Sequence, residues 1–345
     1  MERRTFLGLA AVAGAASWPR SPGAEAAAPR LRKPRRLPQG GTIGVVAPAS
    51  TPFRLSDLLR GKASWEARGF RVRIDEQTFQ RDGYLAGTAA TRAAALMALF
   101  EDPSIDAIQT ACGGFGSTQI IPHLDFDRIA RQAKPFVGRS DITAIHLALF
   151  HRAGLVTFYG PGMANLSPPA GSAFAEAGLQ RALTVPQALG RLPHHPDDPF
   201  VRTICAGRAS GPLLGGCLWP LCKAIGTPWA PRLQSAIFFF EETDEPPWSI
   251  DAHLTHLEQA GVLEEVAGVV IGRMVNCEWS PARPEYPSNL SLDEVLDRHF
   301  GRRGVPCLWG LPVGHEAQTL TLPLGVRVTL DASAGTLEFD EPALV

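Results

Sequence analysis

Three kinds of side chain in this sequence have the types and settings to do acyl chemistry: a serine, a carboxylate and a histidine. The serine lies in Phe136-Val137-Gly138-Arg139-Ser140-Asp141-Ile142-Thr143, which begins apolar, like the end of a buried strand. The chain then passes through Gly-x-Ser and enters Ala144-Ile145-His146-Leu147-Ala148-Leu149-Phe150, whose apolar spacing is helical. A strand, a sharp turn bearing one serine and then a helix make a nucleophile elbow, which lifts the hydroxyl clear of the backbone. The helix N-terminus behind it places partial positive charge where a reacting carbonyl would become an oxyanion. The last glycine of Gly-x-Ser-x-Gly is replaced here by Ile142. The same residues also read more plainly, with Ser140 or Asp141 as a helix cap.

The carboxylates follow Ala236-Ile237-Phe238-Phe239-Phe240, an apolar strand that ends in Glu241-Glu242 and then Thr243-Asp244-Glu245-Pro246-Pro247-Trp248. Carboxylates at the end of a buried strand stand where α/β proteins keep functional groups. The histidine is His315, in the Gly/Pro loop Leu311-Pro312-Val313-Gly314-His315. Together the three are the ingredients of nucleophilic catalysis: histidine takes the serine proton and the carboxylate fixes its tautomer. The plainer alternatives are a strand-end charge facing water for Glu241 and a hydrogen-bonded loop residue for His315. His253 and His256 read as solvated helix residues.

These residues need a scaffold that brings distant segments together. Thr42 to Ala47 reads as a first buried strand, Leu55 to Arg68 as an amphipathic helix, and Phe70 to Ile74 as a second strand. Thr88 to Phe100 is an Ala/Leu-rich helix with Thr88 as a candidate N-cap. Ile105 to Thr110 is the next strand, running into Gly113-Gly114-Phe115-Gly116-Ser117, and Val156 to Tyr159 another. This alternation predicts an α/β domain over 40–166, an open parallel sheet with helices on both faces, Rossmann- or flavodoxin-like. Residues 167–200 carry Pro168-Pro169, His194-His195 and Asp197-Asp198 with one helix, Phe174 to Leu183, and read as a linker. Residues 201–345 read as a mixed α/β domain, with helices at Ile250 to Gly261 and Leu292 to Phe300. Its strands are Gly211 to Gly216, Ser235 to Phe240 and Val266 to Gly272, with a hairpin formed by Val326 to Leu330 and Thr336 to Phe339.

Composition narrows the function. The chain of 345 residues is long enough for two domains, with 45% hydrophobic and 19% charged residues. A formal net charge of -1 gives no reason to expect nucleic acid as a partner. Arg3-Arg4-Thr5-Phe6-Leu7, the apolar run to about Trp18 and the small-residue sites around Ala24 to Ala28 read as a twin-arginine export signal over 1–28, the plainer alternative being a disordered basic tail. The run falls short of the roughly 20 residues that span a bilayer, so no stable membrane insertion is expected. The expected location is the periplasm. Six cysteines show no zinc spacing; in an exported protein some could pair, and most read as small buried residues.

The combined pattern resembles the LD-carboxypeptidase family of serine peptidases, which includes murein tetrapeptide carboxypeptidases and the microcin C immunity proteins. The stretches that carry the resemblance are Gly83-Tyr84-Leu85-Ala86-Gly87-Thr88, Gly113 to Ser117, Phe136 to Thr143 and His146 to Leu149. Further on come Gly160-Pro161, Leu214-Gly215-Gly216, Gly226-Thr227-Pro228, Glu241 with Glu245-Pro246-Pro247, and Gly314-His315. They run in the family's order from Gly41 to about Asp331.

The resemblance implies a triad of Ser140, His315 and Glu241, with Glu241 preferred to Glu242 because it stands four residues before Glu245. It implies an oxyanion hole from the main-chain N–H groups of Gly114 and Asp141. It also implies a murein peptide substrate, no metal or organic cofactor, and a homodimer. Three positions depart from the family: Cys112 where arginine usually precedes Gly-Gly, Arg139 where an aromatic precedes the serine, and Cys217 where asparagine follows Leu-x-Gly-Gly. Arg139 either restores the positive charge absent at Cys112 and holds a substrate carboxylate, or is a solvated surface residue. The expected activity is removal of the terminal D-alanine of murein tetrapeptides. The rival activities are hydrolysis of peptidyl or aminoacyl adenylates, as in microcin immunity, and binding without chemistry by a periplasmic receptor.

Overall fold

The computed structural model describes residues 30–193, 198–280 and 290–345, so the twin-arginine segment lies outside the described residues. In chain order the first half runs β1 (Thr42–Val46), α1 (Leu55–Ala67), β2 (Arg71–Ile74), α2 (Ala89–Glu101), β3 (Ala107–Thr110), α3 (Phe126–Arg131), β4 (Phe136–Gly138), α4 (Thr143–Ala148) and β5 (Thr157–Tyr159). The second half runs α5 (Ala173–Thr184), β6 (Gly190–Arg191), β7 (Arg202–Cys205), β8 (Arg208–Cys217), α6 (Leu218–Lys223), β9 (Ile237–Thr243), α7 (Pro247–Gln259), β10 (Gly268–Val275), α8 (Leu292–Phe300), β11 (Cys307–Trp309), β12 (Leu322–Leu324), β13 (Arg327–Asp331) and β14 (Thr336–Phe339).

Local chemistry starts the helices where the sequence signals them. The Thr88 side chain accepts the Thr91 N–H at the head of α2, and Ser172 accepts the Ala175 N–H at the head of α5. Ser291 and Glu294 form a reciprocal capping box on α8. The central strands are apolar along their length, as strands buried on both faces must be: Phe238, Phe239 and Phe240 of β9 have no exposed surface.

One sheet has the order β12-β5-β4-β3-β1-β2, and the five strands from β5 to β2 are parallel. Its order reverses between β1 and β3, a topological switch point whose strand-end loops begin at Ala47 and Ala111. The edge strand β12 comes from the C-terminal half and pairs antiparallel with β5. The second sheet has the order β6-β14-β13-β8-β9-β10-β11-β7, parallel from β8 to β11.

One apolar cluster joins the two halves: Val137 and Phe158 of the first sheet share it with Ile237, Phe239, Val270 and Val313. The segment 167–200 contributes to both halves. Leu179 and Leu183 of α5 are buried in that cluster, and the two-residue strand β6 extends the second sheet beside β14. Neither β6 nor β12 is long enough to announce itself by alternation.

His256 is exposed as expected, but His253 is half-buried, with burial lowering its imidazole pKa and its Nε2 enclosed without a hydrogen-bond partner. The expectation of a solvated side chain fails there because His253 sits on the flank of α7 rather than its outer face. All six cysteines are free thiols, four of them buried.

Candidate active site

Ser140 follows β4 after one intervening residue, Arg139, and has φ +64°, a left-handed conformation that a residue with a Cβ adopts only under constraint. A 3₁₀ turn from Ser140 to Ile142 leads into α4. No side chain caps either the turn or α4, which removes the simple capping reading of Ser140 and Asp141. The close approach of the neighbouring loop explains its glycines. A Cβ on Gly113 would lie 2.8 Å from Ser140 Cβ, and one on Gly114 would lie 2.3 Å from Ser50 Oγ. Gly114 also has φ +99°.

Asp141 ties the elbow to this loop. Its carboxylate accepts the Ser117 N–H at 2.8 Å, and its carbonyl accepts the Ser117 hydroxyl at 2.6 Å. Burial raises the Asp141 pKa, while the Ser117 hydrogen bonds and the Arg92 charge oppose the rise. Arg92, fully buried on α2, donates to the Pro48 and Gly116 carbonyls, both at 2.8 Å. It therefore binds together the loops after β1 and β3, on the two sides of the switch point.

The second half supplies the carboxylate and the histidine. Glu241 lies within the buried stretch of β9 with no exposed surface, so it does not face water. Its Oε2 lies 2.7 Å from His315 Nδ1. Gly314, with φ +139°, lets the loop pass: a Cβ there would lie 2.8 Å from Glu241 Oε2. The other oxygen, Oε1, accepts the Tyr159 hydroxyl at 2.5 Å, and the same hydroxyl oxygen accepts the Ser140 N–H at 3.1 Å. Tyr159 is a site residue that the sequence reading left inside a strand. Its one signal was position, at the carboxyl end of the strand next to the elbow strand.

Arg139 is buried rather than solvated, with 6% of its surface exposed. Its Nη1 donates to the Gly314 carbonyl at 2.5 Å, clamping the histidine loop to the elbow. Desolvation lowers its pKa, and the Glu241 charge is the largest opposing influence. Glu242, one residue on, is held apart from the histidine. It accepts the Trp219 N–H at 2.7 Å, the Thr243 N–H at 2.9 Å and the Cys217 thiol at 3.2 Å. Burial first, and the Glu241 charge second, push its pKa up to about 7. Cys217 also donates its N–H to Thr143 Oγ1 at 3.0 Å, docking the end of β8 on the elbow helix.

Ser140, His315, Arg139, Gly114 and Cys112 all line one cavity of about 610 Å³, and Asp141 lines a second beside it. Arg54 and Arg81 stand at the rim of the first, with the exposed aromatics Phe53, Tyr84 and Phe115. Cys112 is embedded with its thiol donating to the Ser50 carbonyl, and burial pushes its pKa up to about 12. Among the described residues no cluster of histidine, cysteine and carboxylate side chains could hold a metal ion.

The fold and the site thus define a two-sheet α/β protein with a strained serine on a strand–turn–helix elbow and a His–Glu pair brought to it from the other half. Comparison with known proteins gives this class its family. The LD-carboxypeptidase N-terminal domain matches residues 43–160, and the LD-carboxypeptidase C-terminal domain matches residues 210–330. A probable murein peptide carboxypeptidase of Bacillus subtilis is 32% identical over 310 residues, covering 88% of this chain and 93% of that protein. The microcin C7 self-immunity protein of Escherichia coli is 28% identical over 338 residues, covering 89% and 95%. The crystal structure of muramoyltetrapeptide carboxypeptidase from Oxalobacter formigenes superposes with a TM-score of 0.73 at 28% identity, covering 87% of this chain and 99% of that one. The chain belongs to the LD-carboxypeptidase family.

Proposed function

We propose that this protein is a serine L,D-carboxypeptidase that removes the terminal D-alanine from murein peptides. The observation that carries the reading is the shared cavity. Ser140 and His315 both face it, and His315 Nδ1 is engaged by the buried carboxylate of Glu241. That bond commits the proton of the neutral imidazole to Nδ1 and leaves Nε2 as the base. Nε2 takes the Ser140 proton as Oγ attacks the carbonyl between the L-centre of a dibasic residue and D-alanine. Main-chain N–H groups of Gly114 and Asp141 receive the oxyanion. The imidazolium then gives its proton to the departing amine, and water repeats the sequence to release the acyl group.

Arg139 contributes in two ways in this reading. It holds the Gly314 carbonyl, and it presents the rest of its guanidinium to the carboxylate of the terminal residue. In this reading the twin-arginine pattern of Arg3-Arg4 is an export signal and the enzyme works in the periplasm, where murein peptides are met. Hydrolysis of peptidyl or aminoacyl adenylates would use the same triad and is the competing substrate class, supported by the likeness to the microcin C7 self-immunity protein.

The test is incubation of the purified protein with muropeptides, followed by mass spectrometry. Loss of one alanine from tetrapeptides is expected, and Ser140→Ala and His315→Ala are each expected to abolish it. A folded Ser140→Ala protein with full turnover would defeat the assignment.

A further inference from the structure

We propose that Tyr159 is the positioning residue of this site: its single hydroxyl fixes both the Glu241 carboxylate and the backbone of the nucleophile. The proposal rests on the reading of Ser140, His315 and Glu241 as the triad.

The direction of the hydrogen bonds is forced. A backbone N–H can only donate, so the Tyr159 oxygen must accept from Ser140, at 3.1 Å. Its one proton is then free for Glu241 Oε1, at 2.5 Å. Burial raises the phenol pKa well above its usual value and the Glu241 charge raises it further, so the group stays a donor at any working pH. The ring cannot swing away. Tyr159 is 1% exposed, meets Phe239 edge-on at 5.3 Å and lies 6.0 Å from the His146 ring. Strand register places it opposite Gly138, two residues before the serine.

Two results follow. Glu241 has no exposed surface, and its two oxygens are divided, Oε1 to Tyr159 and Oε2 to His315. The carboxylate cannot rotate without breaking one of these bonds. Ser140, in its left-handed conformation, has its N–H tied to the same hydroxyl. The nucleophile from the first half and the carboxylate from the second are therefore referenced to one oxygen atom. The ionisable and charged groups that face this hydroxyl and its partners are Arg139, Glu241, Glu242, Cys217, His146 and His315.

The experiment is the pH profile of alanine release from a murein tetrapeptide by wild type, Tyr159→Phe and Ser140→Ala. Removing a hydrogen bond to a charged group lowers kcat by about ten- to a hundredfold, with KM within about twofold because the buried ring does not meet substrate. The ionised side of the Glu241–His315 pair loses a donor, so the pair holds its proton more tightly and the acid limb of kcat/KM moves up by about one pH unit. Replacing Tyr159 by 3,5-difluorotyrosine, nearly the same shape but a stronger donor, moves that limb down instead. This second replacement decides the matter where the phenylalanine variant folds poorly. A phenylalanine variant with wild-type kcat, or limbs that stay in place in both replacements, would overturn the proposal. The serine variant separates the two claims. If Ser140→Ala still turns over, the triad reading fails. If it is inactive while both Tyr159 replacements behave as wild type, only the role of Tyr159 fails.

Discussion

Glu242→Gln has an effect on stability whose sign depends on pH. In the folded protein this carboxyl is 3% exposed, stands beside Glu241 and has its pKa raised to about 7 from an ordinary 4.5. A raised carboxyl pKa means that the folded state holds the proton more tightly than the unfolded chain does. Stability from this group is therefore fully present below about pH 4.5 and is lost as pH rises through about 7. The difference of about 2.5 units corresponds to about 3 kcal/mol. Glutamine does not titrate, but it brings a cost of its own. Trp219 N and Thr243 N donate to opposite oxygens of Glu242, and an amide has only one oxygen. One buried N–H is left without an acceptor, at about 1–3 kcal/mol. Urea unfolding at intervals from pH 4.5 to 8 should show the variant less stable than wild type in acid. The gap should close by about 3 kcal/mol and vanish or invert above neutrality. Two curves that stay parallel across this range would refute the argument. Turnover of the variant at pH 8 should fall only mildly, because Glu242 does not touch His315.

Arg139→Ala should reduce turnover of free-acid peptides by about ten- to a hundredfold more than that of their C-terminal amides, the size expected for one charge-assisted contact. Equal losses on both would leave Arg139 only its hold on the Gly314 carbonyl. Gly113→Ala should lower turnover and cost about 1–3 kcal/mol in thermal unfolding, since the new Cβ would lie 2.8 Å from Ser140 Cβ and 3.1 Å from the Arg139 carbonyl. Wild-type turnover would show that the loop yields easily. Arg3→Lys together with Arg4→Lys should trap the precursor in the cytoplasm, and unchanged periplasmic yield on fractionation would argue against twin-arginine export.

The sequence shows best what depends on short-range pattern. The elbow could be read because strand, Gly-x-Ser and helix are contiguous, and the start of α2 because its cap, Thr88, is a side chain next to the helix it starts. Burial of single polar groups was not readable from neighbours. Arg139 looks like a surface residue beside a turn, yet it is covered by a loop that arrives from Gly314, 175 residues later. Tyr159 looks like one more apolar strand residue, because its hydroxyl matters only when β9 packs against β5. The strands β6 and β12 escaped because two or three residues cannot display a period. Their pairing is decided by where the rest of the chain leaves an open edge.

The placement of β12 bears on biosynthesis. A ribosome delivers β1 to β5 first, and at that stage β5 is a bare sheet edge with an unmatched row of amides and carbonyls, the sort of surface that recruits other chains. Its partner, Leu322–Leu324, emerges only after every strand up to β11 has been made. Tyr159 lies on that same edge strand and pairs there with Leu322. The closing strand arrives only after Glu241 and His315 have been made. Until then β5 stays unpaired on that side, and until His315 is made Ser140 has, on the proposed triad, no base. A chain cut before His315 would tend to be sticky and, on the proposed triad, inert, whereas one carried through β12 has the β5 edge covered by a strand of only three residues.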